Sequence, residues 1–326
     1  MSTCEHITIA YMTNRRDCRI EWFLDSLWWQ WMEHPVPIKL VVVDFYADDP
    51  GRGESFRLKA KRFLDAGVTL KHVMPKPTVW QGPHRLTGRD YFAPSNARNT
   101  ALCLAPDGWI AYVDDLSIVT PDWLFWAIHA VNEKFIGLGT YQKVHELQVM
   151  DGILQHCRFT PEGRDSRLKI CEENLYAGKP IPDVVPATGS WMFGCSLVAP
   201  VQAFLDVNGW DENCDSMGAE DYSCGIMLQN AGYRLCFMPR MITFESEELH
   251  HVEPPFLRID KKDVQGHKDA SNAYLHRLIS NKMRWAPNYF AKTLVAERQR
   301  VLSGQPFTVT QIPQHDWRDG QSLREM

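Results

Sequence analysis

The chemistry offered by this sequence begins with paired carboxylates. Asp114 and Asp115 follow the apolar run Trp109-Ile-Ala-Tyr-Val113, and acids at the end of a buried strand have a rigid mount for a hard divalent ion such as Mg2+ or Mn2+. Either acid also suits the cap of a following turn or helix. A second pair, Glu220 and Asp221, opens the amphipathic stretch that runs to Gly232. One of these two can act as a general base. A carboxylate at a helix N-terminus is equally a plain stabilising feature, with a pKa that the helix dipole lowers. His250 and His251 come directly after the acidic run Glu245-Ser-Glu-Glu248. An imidazole completing a carboxylate metal site suits Mn2+, although a lone surface histidine is the commoner case.

These side chains need a frame to bring them together. Ile7 to Tyr11 reads as a strand, and Ile20, Phe23, Leu24, Leu27, Trp28 and Trp31 recur at helical spacing, which makes a β-α unit. A second strand at Leu40 to Val43 ends on Asp44, and a third at Trp109 to Val113 ends on the Asp114/Asp115 pair. Continuous apolar runs of this kind fit strands buried on both faces, as in an α/β fold with a mainly parallel sheet flanked by helices. Ligands of such sheets bind beyond the carboxyl ends of the strands, so Thr13 to Arg15, Asp44 and the aspartate pair are expected along one rim. Thr120-Pro-Asp-Trp-Leu reads as a helix start with the hydroxyl as N-cap. The polar segment from Gln142 to Thr188, punctuated by Pro161, Gly163, Gly178, Pro180 and Pro182, reads as a loop excursion or lid. A strand-like run from Trp191 to Val198 and a helix near Val201 to Val207 follow. The chain thus divides into residues 1–120 and 121–250 as two halves of one domain and 251–326 as an extension that wraps it.

Bulk properties narrow the function. With 326 residues and 44% hydrophobic content, the chain can bury one large α/β core. A net charge of -5 disfavours a nucleic-acid partner. Nine scattered cysteines, no leader-like apolar run and no stretch near the ~20 apolar residues of a membrane span point to a cytoplasmic protein with reduced thiols. Cys214, Cys224 and Cys236 lack the close pairs of a zinc site, and no Gly-x-Gly-x-x-Gly follows the first strand to cradle a dinucleotide. A nucleotidyltransferase is disfavoured by the missing glycine-rich phosphate loop.

The order of motifs says more than any one of them. Ser95-Asn-Ala-Arg-Asn99, the strand ending in Asp114-Asp115, Asn208-Gly-Trp-Asp-Glu212, Gly218-Ala-Glu-Asp-Tyr222 and His250-His-Val-Glu-Pro-Pro255 together resemble the family 2 glycosyltransferases, which adopt the GT-A fold. The resemblance covers roughly residues 5 to 255. It implies that Asp44 faces the nucleobase of a nucleotide diphosphate sugar, UDP favoured, with Tyr11, Thr13 and Arg15 walling the pocket. It places Arg98 and Asn99 near ribose and phosphates. Asp114 matches the first acid of the family's Asp-any-Asp metal motif; Leu116 stands where the second belongs, so Asp115 would serve beside it, with His251, or else His250, completing a Mn2+ or Mg2+ site. Asp221 matches the base of inverting members, and Glu220 is positioned for the acceptor. Lys261, Lys262 and Lys268 would form a cationic flap. Trp191 and Trp210 are expected to stack on an acceptor, most simply a glycan, and are equally suited to a core. The implied activity is hexosyl transfer to an acceptor hydroxyl. The rival readings are a non-catalytic nucleotide-sugar or carbohydrate-binding protein, which Leu116 suggests, and a transferase acting on a modified nucleic-acid base.

Overall fold

The computed structural model describes residues 6–85, 90–169, 180, 182–250, 275–286 and 293–308. The chain runs through β1 (Ile7–Thr13), α1 (Ile20–Glu33), β2 (Ile38–Asp44), α2 (Arg52–Lys59), α3 (Lys61–Asp65), β3 (Thr69–Val73), α4 (Pro94–Leu104), β4 (Trp109–Asp114) and β5 (Ser117–Val119). It continues with α5 (Trp123–Glu133), β6 (Ile136–Met150), β7 (Ile153–Phe159), β8 (Val185–Pro186), β9 (Ser196–Pro200), α6 (Val201–Asp206), α7 (Cys214–Met217), α8 (Glu220–Asn230), β10 (Leu235–Ser246), α9 (Glu247–His250) and α10 (Leu294–Leu302). Ten strands form one mixed sheet in the order β3-β2-β1-β4-β9-β6-β10-β5, with β7 beside β6 and β8 beside β10. The first three pairings from β3 to β4 are parallel, and β6 is parallel to β10. Because β9 is antiparallel to both β4 and β6, these strands all point the same way. The carboxyl ends of β1, β4, β6 and β10 therefore share one rim.

Period-two alternation sorts each central strand between two apolar layers. Met12, Val43 and Tyr112 face α4, α6 and α8, whereas Tyr11, Val42 and Val113 face α1 and α5. Every residue of β1 is buried, which explains the unbroken apolar run. Each fully buried Ile or Val contributes about 1.5–3 kcal/mol. The α/β class expected from the sequence is the one observed.

Three local readings change. The stretch expected to open as a loop at Gln142 instead continues β6 to Met150 and turns back as β7. Val144 and Leu147 are buried there among polar neighbours, so the strand is held by one face only, and its mean polarity hid it. The strand expected from Trp191 begins at Ser196. Thr120 does not cap α5: its hydroxyl donates to the Ile242 carbonyl at 3.3 Å, and the helix starts at Trp123.

Two polar clusters lock this frame. At the end of β2, Asp44 is fully buried; its Oδ1 accepts the Tyr46 N–H at 2.9 Å, and its Oδ2 meets Arg52 Nε at 2.7 Å and His72 Nε2 at 2.9 Å. Arg52 reaches onward to the carbonyls of Arg15 and Arg16 and so fixes the loop after β1. On the opposite face, the described part of the C-terminal segment grips the Asn208-Gly209 turn. The Asn208 amide donates to the Ala286 carbonyl and its oxygen accepts the Leu294 N–H, both at 2.8 Å. Arg298 then bonds the Ala105 carbonyl beyond α4.

Both clusters make predictions. Removing Asn208 as Asn208→Ala leaves a buried carbonyl and a buried N–H unpaired, and is expected to lower stability by about 1–3 kcal/mol in urea unfolding. Asp44 has a depressed pKa because His72, Arg52 and the Tyr46 N–H outweigh its burial. Its stabilisation is therefore present above the ordinary aspartate pKa and is lost as pH falls through the lowered folded value. Asp44→Asn is expected to cost about 2–4 kcal/mol at pH 7, and the gap to wild type should begin to narrow below about pH 4 and close once pH has fallen through the lowered folded value.

Candidate active site

The shared rim carries a cavity of about 260 Å³. Thr13 reaches it from the end of β1, Asp114 and Asp115 from β4, Arg98 from α4, Glu220 and Asp221 from the first turn of α8, and His250 from α9. Seven residues singled out from the sequence thus meet in one place. A larger hollow, about 380 Å³, lies between α1 and the β6–β7 hairpin, but its walls are mainly apolar and Glu33 is the one charged residue on them. Chemistry on charged intermediates belongs to the smaller, polar cavity.

Arg98 is the centre of this cavity's electrostatics. Its guanidinium lies 3.4 Å from Asp114, 3.3 Å from Glu220 and 3.4 Å from Asp221, with 3% of the residue exposed. The plane is held 4.7 Å over the Trp210 ring. On the other side Gly194 leaves the necessary room: a Cβ there would sit 2.5 Å from both the guanidinium carbon and Asp221 Oδ1. Burial raises the pKa of Asp221 to about 7, against the pull of Arg98 and the Gly194 N–H. The helix dipole was expected to lower that pKa; partial burial of the carboxyl, with a quarter of its side chain exposed, outweighs it.

Asp114 and Asp115 diverge although they are adjacent. Asp114 has 34% of its side chain exposed, towards the cavity. Asp115 turns inward, where Thr13 donates to its Oδ2 at 2.7 Å and Arg15 Nε lies at 3.4 Å; burial nonetheless raises its pKa to about 7. The turn after them uses a left-handed Leu116, φ 59°, whose N–H bonds the Cys18 carbonyl and whose carbonyl accepts from Ser246. Its side chain is 1% exposed, so this position is a packing residue that ties β4 to β10.

The other expected residues stand behind the wall. Tyr11 is in the core, its hydroxyl on the Cys18 carbonyl at 2.6 Å and its ring stacked on Phe23. Arg15 reaches the carbonyls of Leu249 and His250 and pins α9 to the loop after β1. Asn99 is clamped on the backbone of Trp210 and on Glu212. Trp210 is 0% exposed and packs on Phe204 and Tyr112. Trp191 packs edge-on against Phe237 and lies outside the cavity wall. Asp44 is enclosed as described above. His251, Lys261, Lys262 and Lys268 lie outside the described residues.

Sequence reasoning missed the far wall. Glu245, at the end of β10, is 3% exposed, binds His250 Nδ1 at 2.5 Å and accepts from the Tyr141 hydroxyl. These partners hold its pKa below the usual value despite burial. Tyr141 and Lys143 come from β6, on either side of the point where the segment read as a loop begins, and Phe193 from the turn that Arg167 anchors through the Trp191 carbonyl. Recognising β6 as a strand parallel to β10 was the signal needed. Asn14, Met12 and Phe92 complete the wall beside β1.

Oxygen donors dominate this lining, which is the right chemistry for a hard divalent ion. Among the described residues, however, no three of His, Cys, Asp and Glu converge to hold one. Asp115 is engaged by Thr13 and Arg15, and Glu245 by His250 and Tyr141.

No protein-family model and no curated protein matches the sequence. Solved structures do. The chain is similar to residues 1–349 of S. aureus TarS at 16% identity and a TM-score of 0.50, over 84% of this chain and 72% of that one. It is similar to the same protein in complex with UDP-GlcNAc at 15% identity and a TM-score of 0.54, over 92% and 71% of the two chains. Against the longer TarS structure it spans 42% of that chain. At these identities the likeness establishes a shared fold, the GT-A-type α/β arrangement expected from the sequence.

Proposed function

We propose that the chain is an inverting, family 2 type glycosyltransferase that moves a sugar from a nucleotide diphosphate sugar, a UDP-sugar by preference, to an acceptor hydroxyl. The observation that carries this reading is Asp221. It is a half-buried carboxyl with a pKa raised to about 7 by desolvation, and it lines the same cavity as the exposed face of Asp114. Such a group is a stronger base than an ordinary aspartate and is still substantially ionised at neutral pH. Asp221 takes the proton of the acceptor hydroxyl, the acceptor oxygen attacks the anomeric carbon, and the bond to the diphosphate breaks. Glu220, beside it on α8, holds the acceptor, and Arg98 and Lys143 face the negative charge of the departing group.

Asp114 keeps an exposed face for a Mn2+ or Mg2+ ion, and Asp115 with either His250 or His251 would complete its site only by exchanging present partners, Thr13 and Arg15 for Asp115 and Glu245 for His250. Bound there, the ion would offset charge on the leaving diphosphate. Five carboxylates on the wall against Arg98 and Lys143 support a cation partner. The same acidic lining disfavours a nucleic-acid acceptor, whose phosphates it would repel; a glycan fits better. The UDP-GlcNAc held by the structurally similar TarS supports the donor class. No helix among the described residues is long and apolar enough to cross a membrane, and seven described cysteines are unpaired, which agrees with a cytoplasmic setting.

Calorimetric titration with a panel of nucleoside diphosphates and their sugars, with and without Mn2+, tests the donor site. Donor binding is expected, strengthened by Mn2+; binding of carbohydrate with no nucleotide-sugar turnover would instead favour a non-catalytic protein. Release of UDP from the bound donor reports chemistry. Because Asp221 must be ionised to accept a proton, its rate is expected to fall as pH drops through about 7. Asp221→Asn should retain donor binding and lower kcat on the order of 10²–10⁴-fold. A product with retained anomeric configuration would overturn the displacement mechanism.

A further inference from the structure

We propose that Asn14 is the residue that reads the nucleoside half of the donor, a role expected from the sequence to fall on Asp44. The inference rests on the transferase reading above and deepens it. Asn14 lines the cavity, is 5% exposed, and its carboxamide makes no hydrogen bond with any described residue. Every other side chain on the wall that carries oxygen or nitrogen has a protein partner. Its polar atoms are not sealed in the core but open onto the cavity, where a ligand can take both groups of the carboxamide in place of water. Asp44, by contrast, is 0% exposed and has both oxygens engaged, on Tyr46, Arg52 and His72. A nucleobase would have to break a buried ion pair to reach it.

Strand order assigns the ligand. Along the rim, β1 lies on one side of β4, and β9, β6 and β10 lie on the other. Asn14 is therefore on one flank of Asp114, while Asp221, which packs beside Gly194 just before β9, is on the opposite flank. With the diphosphate at Asp114 and the reacting sugar at Asp221, the nucleoside extends over β1. There Phe92, braced edge-on at 5.2 Å by Phe45, and Met12 provide an apolar surface for a base. A carboxamide presents a donor and an acceptor together, which matches the paired groups on the edge of a pyrimidine imide. A carboxylate can only accept.

Asn14→Ala separates this role from a structural one. Wild type and variant are titrated with UDP and with inorganic pyrophosphate, both with Mn2+, and melted without ligand. Loss of one buried hydrogen bond to ligand predicts a rise in Kd for UDP of about tenfold. Pyrophosphate affinity and Tm should not change, since the side chain bonds no described residue. Equal UDP affinity in both proteins would overturn the role of Asn14 and leave the transferase reading standing. A parallel loss for UDP and pyrophosphate, or a fall in Tm that accounts for the weaker binding, would also overturn it. Failure of the wild type to bind any nucleoside diphosphate would overturn both readings.

Discussion

A buried guanidinium surrounded by three carboxylates is the constraint around which this molecule is arranged. Arg98 cannot be hydrated, so its charge must be balanced from within, and Asp114 at the end of β4 and Glu220 and Asp221 on α8 do so together. None of the three contacts is as short as a committed charge-assisted bond. The cation is shared, and each acid keeps part of its negative charge for a ligand. That sharing requires α4, β4 and α8 to meet within a few ångströms. It also requires a flat apolar support, Trp210, and a glycine opposite it.

Supporting layers follow from the same demand. Asn99, one residue after Arg98, bonds both the N–H and the carbonyl of Trp210 and holds the indole where the guanidinium needs it. Its other contact, Glu212, is neutralised by the fully buried Lys76 at 2.5 Å. Polar burial on this scale is not a general source of stability. It fixes geometry: each group left unpaired would cost free energy, so few alternative arrangements satisfy all of them.

The parts of the fold that were legible in the sequence are those written in continuous apolar runs or in helical spacing: β1, α1, β2 and β4, with Asp114 and Asp115 at the end of one of them. The acid pair of α8 was legible because two carboxylates precede an amphipathic stretch. What could not be read was set by direction instead of identity. Tyr11 and Met12 are neighbours, yet the pleat sends them to opposite layers. Asp44 ends its strand as expected, and only the fold reveals that Arg52 and His72 enclose it. Glu245 looked like one acid in a surface run, since its burial depends on pairing of β10 with a β6 too polar to be recognised. Leu116 read as a defect in a metal motif; its carbonyl and N–H show a tight turn that joins two strands.

The grip of residues 286 and 294 on the Asn208 turn gives the folding of this chain a definite order in time. Trp210, and with it Arg98, depends on a turn whose buried amide is satisfied by residues 78 and 86 positions further along. During synthesis the N-terminal part of a chain emerges and begins to fold first. All strands of the sheet are then available before the residues that complete this turn have left the ribosome. The polar cavity is thus completed only after residues 286 and 294 have emerged, and a shorter nascent chain carries its carboxylates in a frame that is not yet closed around them.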